Sequence, residues 1–159
     1  MRFTQGLTTY YEHVMNYFEI SLDGSILCSE TTMTKVLIVD DDQTMRSLYE
    51  RVFSLEGFTV ELGEGGKIGL EKAQTVGPDI ILLDMMMPGV NGLEVLEKLK
   101  SDPTTAHIPV IVMSNYSELN ISTRAIDLGA AQYLIKSDVD PSVAVEIVRK
   151  TLGQAQQTS

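Results

Sequence analysis

Five short apolar segments, separated by stretches with helical periodicity, constrain the fold of this 159-residue chain more than any other feature. Four of the segments are almost continuously apolar, as strands buried on both faces of a parallel sheet must be. Strand and helix patterns alternate, and right-handed crossovers between parallel strands then give an α/β fold, a doubly wound sheet covered by helices. The predicted strands are residues 36–39, 58–62, 80–83, 110–113 and 132–135.

Helix ends agree with this alternation. Gly57 follows the first predicted helix as a C-terminal capping glycine does, Asn91 is placed as the N-cap of the third, and Asp140-Pro141 predicts the start of the last. The glycine-rich segment 63–69 lacks the spacing of a phosphate-binding loop, and we interpret it as a flexible entry to the second helix. The residues predicted to share a helix face are Met45, Leu48, Val52 and Leu55; Leu93, Leu96 and Leu99; and Ile121, Ala125 and Leu128.

Composition excludes several classes of function. The chain has 22 acidic and 12 basic side chains, and its net charge of −10 would repel a phosphate backbone, so we expect no direct binding to nucleic acid. The single cysteine, Cys28, cannot form an internal disulfide, and His13 and His107 lie too far apart in sequence to indicate a zinc site. No apolar run approaches the about 20 residues of a membrane span or resembles a signal peptide, so we expect a cytoplasmic chain without membrane association.

The composition changes near Met33. Residues 1–32 contain half of the aromatic residues, and apolar residues alternate on both sides of Asp23-Gly24, which predicts a β-hairpin. We therefore expect an N-terminal extension over residues 1–33, one domain over residues 34–152 and a polar, frayed tail over residues 153–159. The extension is either a regulatory or docking arm or sequence upstream of a true start at Met33; we favour the second, since the pattern after Met33 is complete without it.

Polar side chains follow four of the five predicted strands. Asp40 and Asp41 follow the first strand, Asp84 the third, Ser114 the fourth and Lys136 the fifth. Each alone could cap a turn or be a solvated charge, but the carboxyl ends of parallel strands share one edge of the sheet, where binding sites form. Clustered carboxylates raise each other's pKa unless a cation binds among them, and oxygen ligands without nearby His or Cys favour Mg²⁺.

These residues stand in four motifs: VLIVDDDQTMR at 36–46, LLDMMMPGVNGLEVL at 82–96, VIVMSN at 110–115 and GAAQYLIK at 129–136. With them, the chain from about residue 35 to residue 152 resembles the receiver domains of two-component response regulators, among which the chemotaxis regulator is a simple relative. The resemblance implies a flavodoxin-like receiver fold with a five-stranded parallel sheet in the order 2-1-3-4-5.

The resemblance also implies a role for each site residue. Asp84 would be the phosphoacceptor, and Lys136 would pair with a phosphoryl oxygen. Mg²⁺ would be bound by Asp41, Asp84 and the backbone carbonyl of Met86, with Asp40 holding a coordinated water.

Ser114 and Tyr133 would form a switch in which the hydroxyl contacts the phosphoryl group and the aromatic ring turns inward. Two residues depart from the family pattern. Asn115 replaces the usual small residue after the hydroxyl. Ser137 replaces the proline after Lys136, so we expect a trans peptide bond there.

The function implied is that of a stand-alone receiver, a monomer or weak dimer, which accepts a phosphoryl group from a sensor histidine kinase or phosphotransferase and signals to an unknown protein target. It is not a turnover enzyme, and self-dephosphorylation should be slow because Met86 and Tyr116 are bulky and offer no base. The alternative is an aspartate-nucleophile phosphohydrolase. That class typically has a second Asp two residues after the nucleophile, where this chain has Met86.

Overall fold

The computed structural model describes residues 18–20, 26–28, 33–115 and 119–157. The chain divides into two compact units, residues 1–33 and residues 34–159. In the first unit, β1 (Phe18–Ile20) pairs antiparallel with β2 (Ile26–Cys28), as the alternating pattern predicts. The Asp23-Gly24 turn lies outside the described residues.

The second unit contains a five-stranded parallel sheet. Its strands are β3 (Lys35–Asp40), β4 (Thr59–Glu64), β5 (Ile80–Asp84), β8 (Val110–Ser114) and β9 (Gln132–Ile135). They lie in the order β4-β3-β5-β8-β9, which is 2-1-3-4-5 when these five alone are counted. The predicted topology is confirmed. Two short strands, β6 (Met86–Met87) and β7 (Val90–Asn91), form a hairpin directly after β5.

Helices cover both faces of this sheet. They are α1 (Gln43–Leu55), α2 (Gly66–Val76), α3 (Gly92–Ser101), α4 (Leu119–Asp127) and α5 (Pro141–Gln157). Because side chains alternate along a strand, Leu37 and Val39 pack with α2, α3 and α4, whereas Val36 and Ile38 pack with α1 and α5. No helix in the described part of the chain is both long enough and apolar enough to span a membrane.

The buried face of α1 differs from the predicted one. Arg46, Tyr49 and Phe53 are buried, whereas Leu48 and Leu55 are exposed, and the other two predicted residues are only partly buried. The aliphatic pattern was misleading because the two aromatic rings bury more apolar surface and because the stem of an arginine can pack in a core. The predicted faces of α3 and α4 are confirmed, since their residues are buried or packed against the core.

Two further expectations differ from the structure. Two glycines of segment 63–69 serve close packing: a Cβ at Gly69 would lie 2.6 Å from Val39 Cγ1, and one at Gly66 would lie 2.6 Å from Val95 Cγ2. The interpretation of a flexible entry was therefore wrong. At the other end, α5 continues to Gln157, so the first five residues of the expected frayed tail are helical. Gln and Ala favour helix, which accounts for the extension.

Candidate functional site

Three aspartates meet at the carboxyl edge of the sheet. Asp40 ends β3 and Asp84 ends β5, and because these strands are neighbours their carboxylates converge. One carboxylate oxygen from each of Asp40, Asp41 and Asp84 lies within 4.8 Å of the other two. Asp40 and Asp84 are buried and Asp41 is exposed, so the cluster opens to solvent on one side.

Asp42 caps the N-terminus of α1. Its Oδ1 accepts hydrogen bonds from the backbone N–H groups of Thr44, at 2.7 Å, and Met45, at 3.3 Å. These bonds cap α1 and lower the pKa of Asp42. Of the three consecutive acids, the third is a capping residue.

Lys136 reaches the cluster from the end of β9. Its Nζ lies 2.7 Å from Asp40 Oδ2 and 2.9 Å from Asp84 Oδ1, and all three side chains are nearly inaccessible to solvent. Burial alone would lower the pKa of Lys136, but the two carboxylates outweigh it and the pKa is raised. The lysine therefore stays charged and offsets part of the negative charge of the cluster.

Burial and Lys136 act on the pKa of Asp84 in opposite directions. Burial raises its pKa, and Asp40 adds to this, whereas Lys136 and the backbone N–H of Met86 act in the opposite direction. Its Oδ1 is fully buried and lies 2.9 Å from the ammonium of Lys136, and it has no other partner within the described part of the chain. A buried carboxylate oxygen in this state is suited to accept a bond from a ligand.

The residues present fit a magnesium ion. The cluster offers carboxylate oxygens alone, which is the donor set that hard divalent cations prefer. Met86, whose carbonyl was predicted to take part, follows Asp84 by two residues at the start of β6.

Two residues that support the cluster were not foreseen. The buried Arg46 donates from Nη1 to the backbone oxygen of Asp40 at 2.8 Å, and its Nη2 lies 3.7 Å from Glu64. Gly92 begins α3 directly against the loop that follows Asp84, because a Cβ there would lie 2.6 Å from Met85 Cα and 2.7 Å from the backbone oxygen of Asp84. The available signal for Arg46 was a basic residue one turn after the acidic strand end.

The predicted switch residues lie on β8 and β9, the last two strands in the order of the sheet. Ser114 is buried at the end of β8, and its carbonyl accepts a bond from the N–H of Lys136 at 2.8 Å. Tyr133 lies in β9 opposite Val112 and packs, partly buried, on the side of the sheet that α4 covers. Ser114 is thus next to the cluster, whereas Tyr133 belongs to the neighbouring core.

The structure describes both residues that depart from the family pattern. Asn115 is exposed, and the Lys136–Ser137 peptide bond is trans, as predicted. Tyr116 lies outside the described residues.

Comparison with known proteins identifies the family. Residues 36–149 match the response regulator receiver domain family. The chain is 36% identical over 104 residues to the response regulator ArlR of Staphylococcus epidermidis, which covers 65% of this chain and 46% of the relative. It is 33% identical over 106 residues to the regulatory protein AtoC of Escherichia coli, which covers 67% of this chain and 23% of the relative. The chain thus spans less than half the length of these relatives.

Solved structures agree. A CheY-like response regulator receiver domain protein from Methanospirillum hungatei superimposes with a TM-score of 0.76 at 26% identity, covering 80% of this chain and all of that one. The chemotaxis response regulator CheY4 of Vibrio cholerae gives a TM-score of 0.70 at 25% identity, covering 76% of this chain and 99% of that one. The chain belongs to the response regulator receiver domain family of two-component signalling.

Proposed function

We propose that this receiver domain accepts a phosphoryl group on Asp84 from a phosphohistidine of a sensor kinase or phosphotransferase, and signals through changed protein contacts. The observation that carries the proposal is the buried Asp84 carboxylate, whose Oδ1 lies 2.9 Å from the Lys136 ammonium, beside two further carboxylates. A nucleophile, a fixed cation and a cluster of oxygen ligands are the parts that transfer of a phosphoryl group requires.

In the proposed step, a carboxylate oxygen of Asp84 attacks the phosphorus and the phosphorus–nitrogen bond breaks. The imidazole leaves with the electron pair and takes up a proton from solvent. Lys136 already lies beside both buried carboxylates, so it can pair with a phosphoryl oxygen with little movement. The Ser114 hydroxyl would donate to another phosphoryl oxygen, and Tyr133 would follow it toward the site.

Asp41, Asp84 and the Met86 carbonyl would bind Mg²⁺ directly, and Asp40 would hold a coordinated water. When bound, the ion would offset the charge of the phosphoryl oxygens as they approach the carboxylates. We further propose a cytoplasmic location and a protein target for the phosphorylated chain. We also propose that the domain acts as a stand-alone receiver, although the chain spans less than half the length of the relatives it matches.

The test is incubation of the chain with acetyl phosphate, with and without Mg²⁺, followed by intact-mass measurement. We expect the wild type to gain one phosphoryl group only with Mg²⁺, and Asp84→Asn to gain none. Asp127→Asn, which removes an exposed carboxylate on α4, serves as the control and should behave as the wild type. Equal labelling of the Asp84 variant would contradict the proposal. Catalytic turnover of phosphate esters would favour the phosphohydrolase alternative instead.

A further inference from the structure

Three consecutive methionines follow Asp84, and their exposure differs sharply. Met86 is 50% exposed, whereas Met85 is 3% and Met87 is 7% exposed. All three line one cleft of about 520 Å³, together with residues of the β6–β7 turn and Ile121. The most exposed of the three methionines is therefore the residue two positions after the proposed phosphoacceptor.

The local fold fixes this difference. Met86 pairs with Asn91 and Met87 with Val90 in a two-stranded hairpin, and side chains on such strands point alternately to opposite sides. Gly89, with φ at 80°, closes the turn after Pro88, as glycine does in a tight turn. The hairpin thus turns Met87 toward the core and Met86 toward solvent.

The hairpin is also tied firmly to the sheet. The Met85 N–H donates to Met113 at 2.8 Å, and the Gly92 N–H donates to Met85 at 3.1 Å. The Met86 N–H faces the Asp84 carboxylate. A chemical change at the Met86 side chain therefore occurs two residues from Asp84, on a segment that is fixed to the sheet.

We propose that Met86 is a modification site, at which hydrogen peroxide oxidises the thioether to the sulfoxide and thereby shortens the lifetime of the phosphoryl group on Asp84. The sulfur lone pair attacks one peroxide oxygen and the oxygen–oxygen bond breaks. The leaving hydroxide takes the proton from the new S–OH group, which gives water and the sulfoxide. Sulfur loses two electrons and the peroxide gains them.

The change in polarity explains the expected effect. A thioether is apolar, whereas a sulfoxide is polar and accepts hydrogen bonds strongly. Two residues after Asp84, a sulfoxide would bind water that a thioether does not. The effect on lifetime rests on the proposed phosphorylation of Asp84.

The first test is peptide mapping of the full chain after treatment with hydrogen peroxide. Met33 is 59% exposed and serves as a matched control for exposure. We expect Met86 and Met33 to oxidise about tenfold faster than Met85, Met87 and the buried Met113, because oxidation follows access to the sulfur. Oxidation of Met86 at the rate of the buried methionines would overturn the proposal.

The second test compares phosphoryl decay with and without peroxide treatment within each variant. After labelling with acetyl phosphate and removal of the donor, we expect oxidation to speed decay about threefold in the wild type and in Met33→Leu, through positioned water. In Met86→Leu, treatment should leave the decay rate of that variant unchanged. Equal decay before and after oxidation of Met86, or acceleration that persists in Met86→Leu, would overturn it. Failure of the proposed function itself is recognised separately, because the untreated wild type would then take up no phosphoryl group.

Discussion

Lys136 carries the ammonium that contacts both buried carboxylates, and the charge balance of the site depends on it. Replacing it in Lys136→Met leaves Asp40 and Asp84 buried without that partner. Removing one partner of a buried ion pair costs about 3–5 kcal/mol in the free energy of unfolding. The variant should therefore be destabilised at neutral pH and should fail to retain a phosphoryl group.

The pH dependence of this loss has a definite sign. The pKa of Asp84 is already raised by burial, and loss of Lys136 raises it further. An acid whose pKa is higher in the folded state stabilises the fold below its unfolded pKa, and this stability is lost as pH rises through the folded pKa. Urea unfolding at several pH values should therefore show a smaller deficit in Lys136→Met in acid than at neutral pH. Lys150→Met, at an exposed position on α5, is the control. A deficit equal at all pH values would contradict this explanation.

Met86 and Tyr116 are the residues that we expect to set the lifetime of the phosphoryl group. Both are bulky and neither offers a base to an attacking water, so decay should be slow. The double variant Met86→Asn/Tyr116→Glu provides polar groups that can orient water, and its decay should be several-fold faster. Decay is measured by loss of label after removal of acetyl phosphate, and a rate equal to or below that of the wild type would refute the expectation.

The strand pattern predicted some residues of the site but not others. The positions of Asp40, Asp84 and Lys136 at strand ends follow from the strand pattern, and the structure brings the three together. Arg46 and Gly92 escaped notice because they contact backbone atoms, of Asp40 and of Asp84 and Met85 respectively, and the motifs mark only side-chain chemistry.

At the scale of elements, strands were easier to predict than helix faces. Strands buried on both sides carry a continuous apolar signal, whereas the face of α1 depends on which side chains fill the space against α5. The segment 63–69 was misinterpreted for a similar reason. Gly66 and Gly69 allow α2 to approach α3 and β3 closely, and composition alone cannot distinguish close packing from flexibility.

This packing gives a test at a pair of helical glycines. A methyl group at Gly69 would lie 2.6 Å from Val39 Cγ1, whereas one at Gly153 would have nothing within 4 Å. We expect Gly69→Ala to lower the free energy of unfolding by about 1–3 kcal/mol through overpacking. Gly153→Ala should raise it by up to about 1 kcal/mol through helix propensity. Chemical denaturation measures both, and equal effects would show that α2 does not pack as closely as described.

At the scale of the whole molecule, the topology of the sheet creates the site. The order β4-β3-β5-β8-β9 places the ends of β3, β5, β8 and β9 side by side, so that residues up to 96 positions apart in sequence come into contact. Alternation of strands and helices predicted a doubly wound parallel sheet, whereas the strand order was implied by the family resemblance. The distances could not be predicted, because they depend on how the side chains of four strands pack at one edge.

The central claim is that Asp84, and no neighbouring acid, forms the bond to phosphorus. The most direct measurement is reduction of the acetyl phosphate-treated chain with borohydride, which converts an aspartyl phosphate to homoserine, followed by peptide sequencing by mass spectrometry. We predict homoserine at position 84 alone, and only when Mg²⁺ was present during labelling. Homoserine at position 40 or 41, or none in a chain that carries label, would contradict the claim.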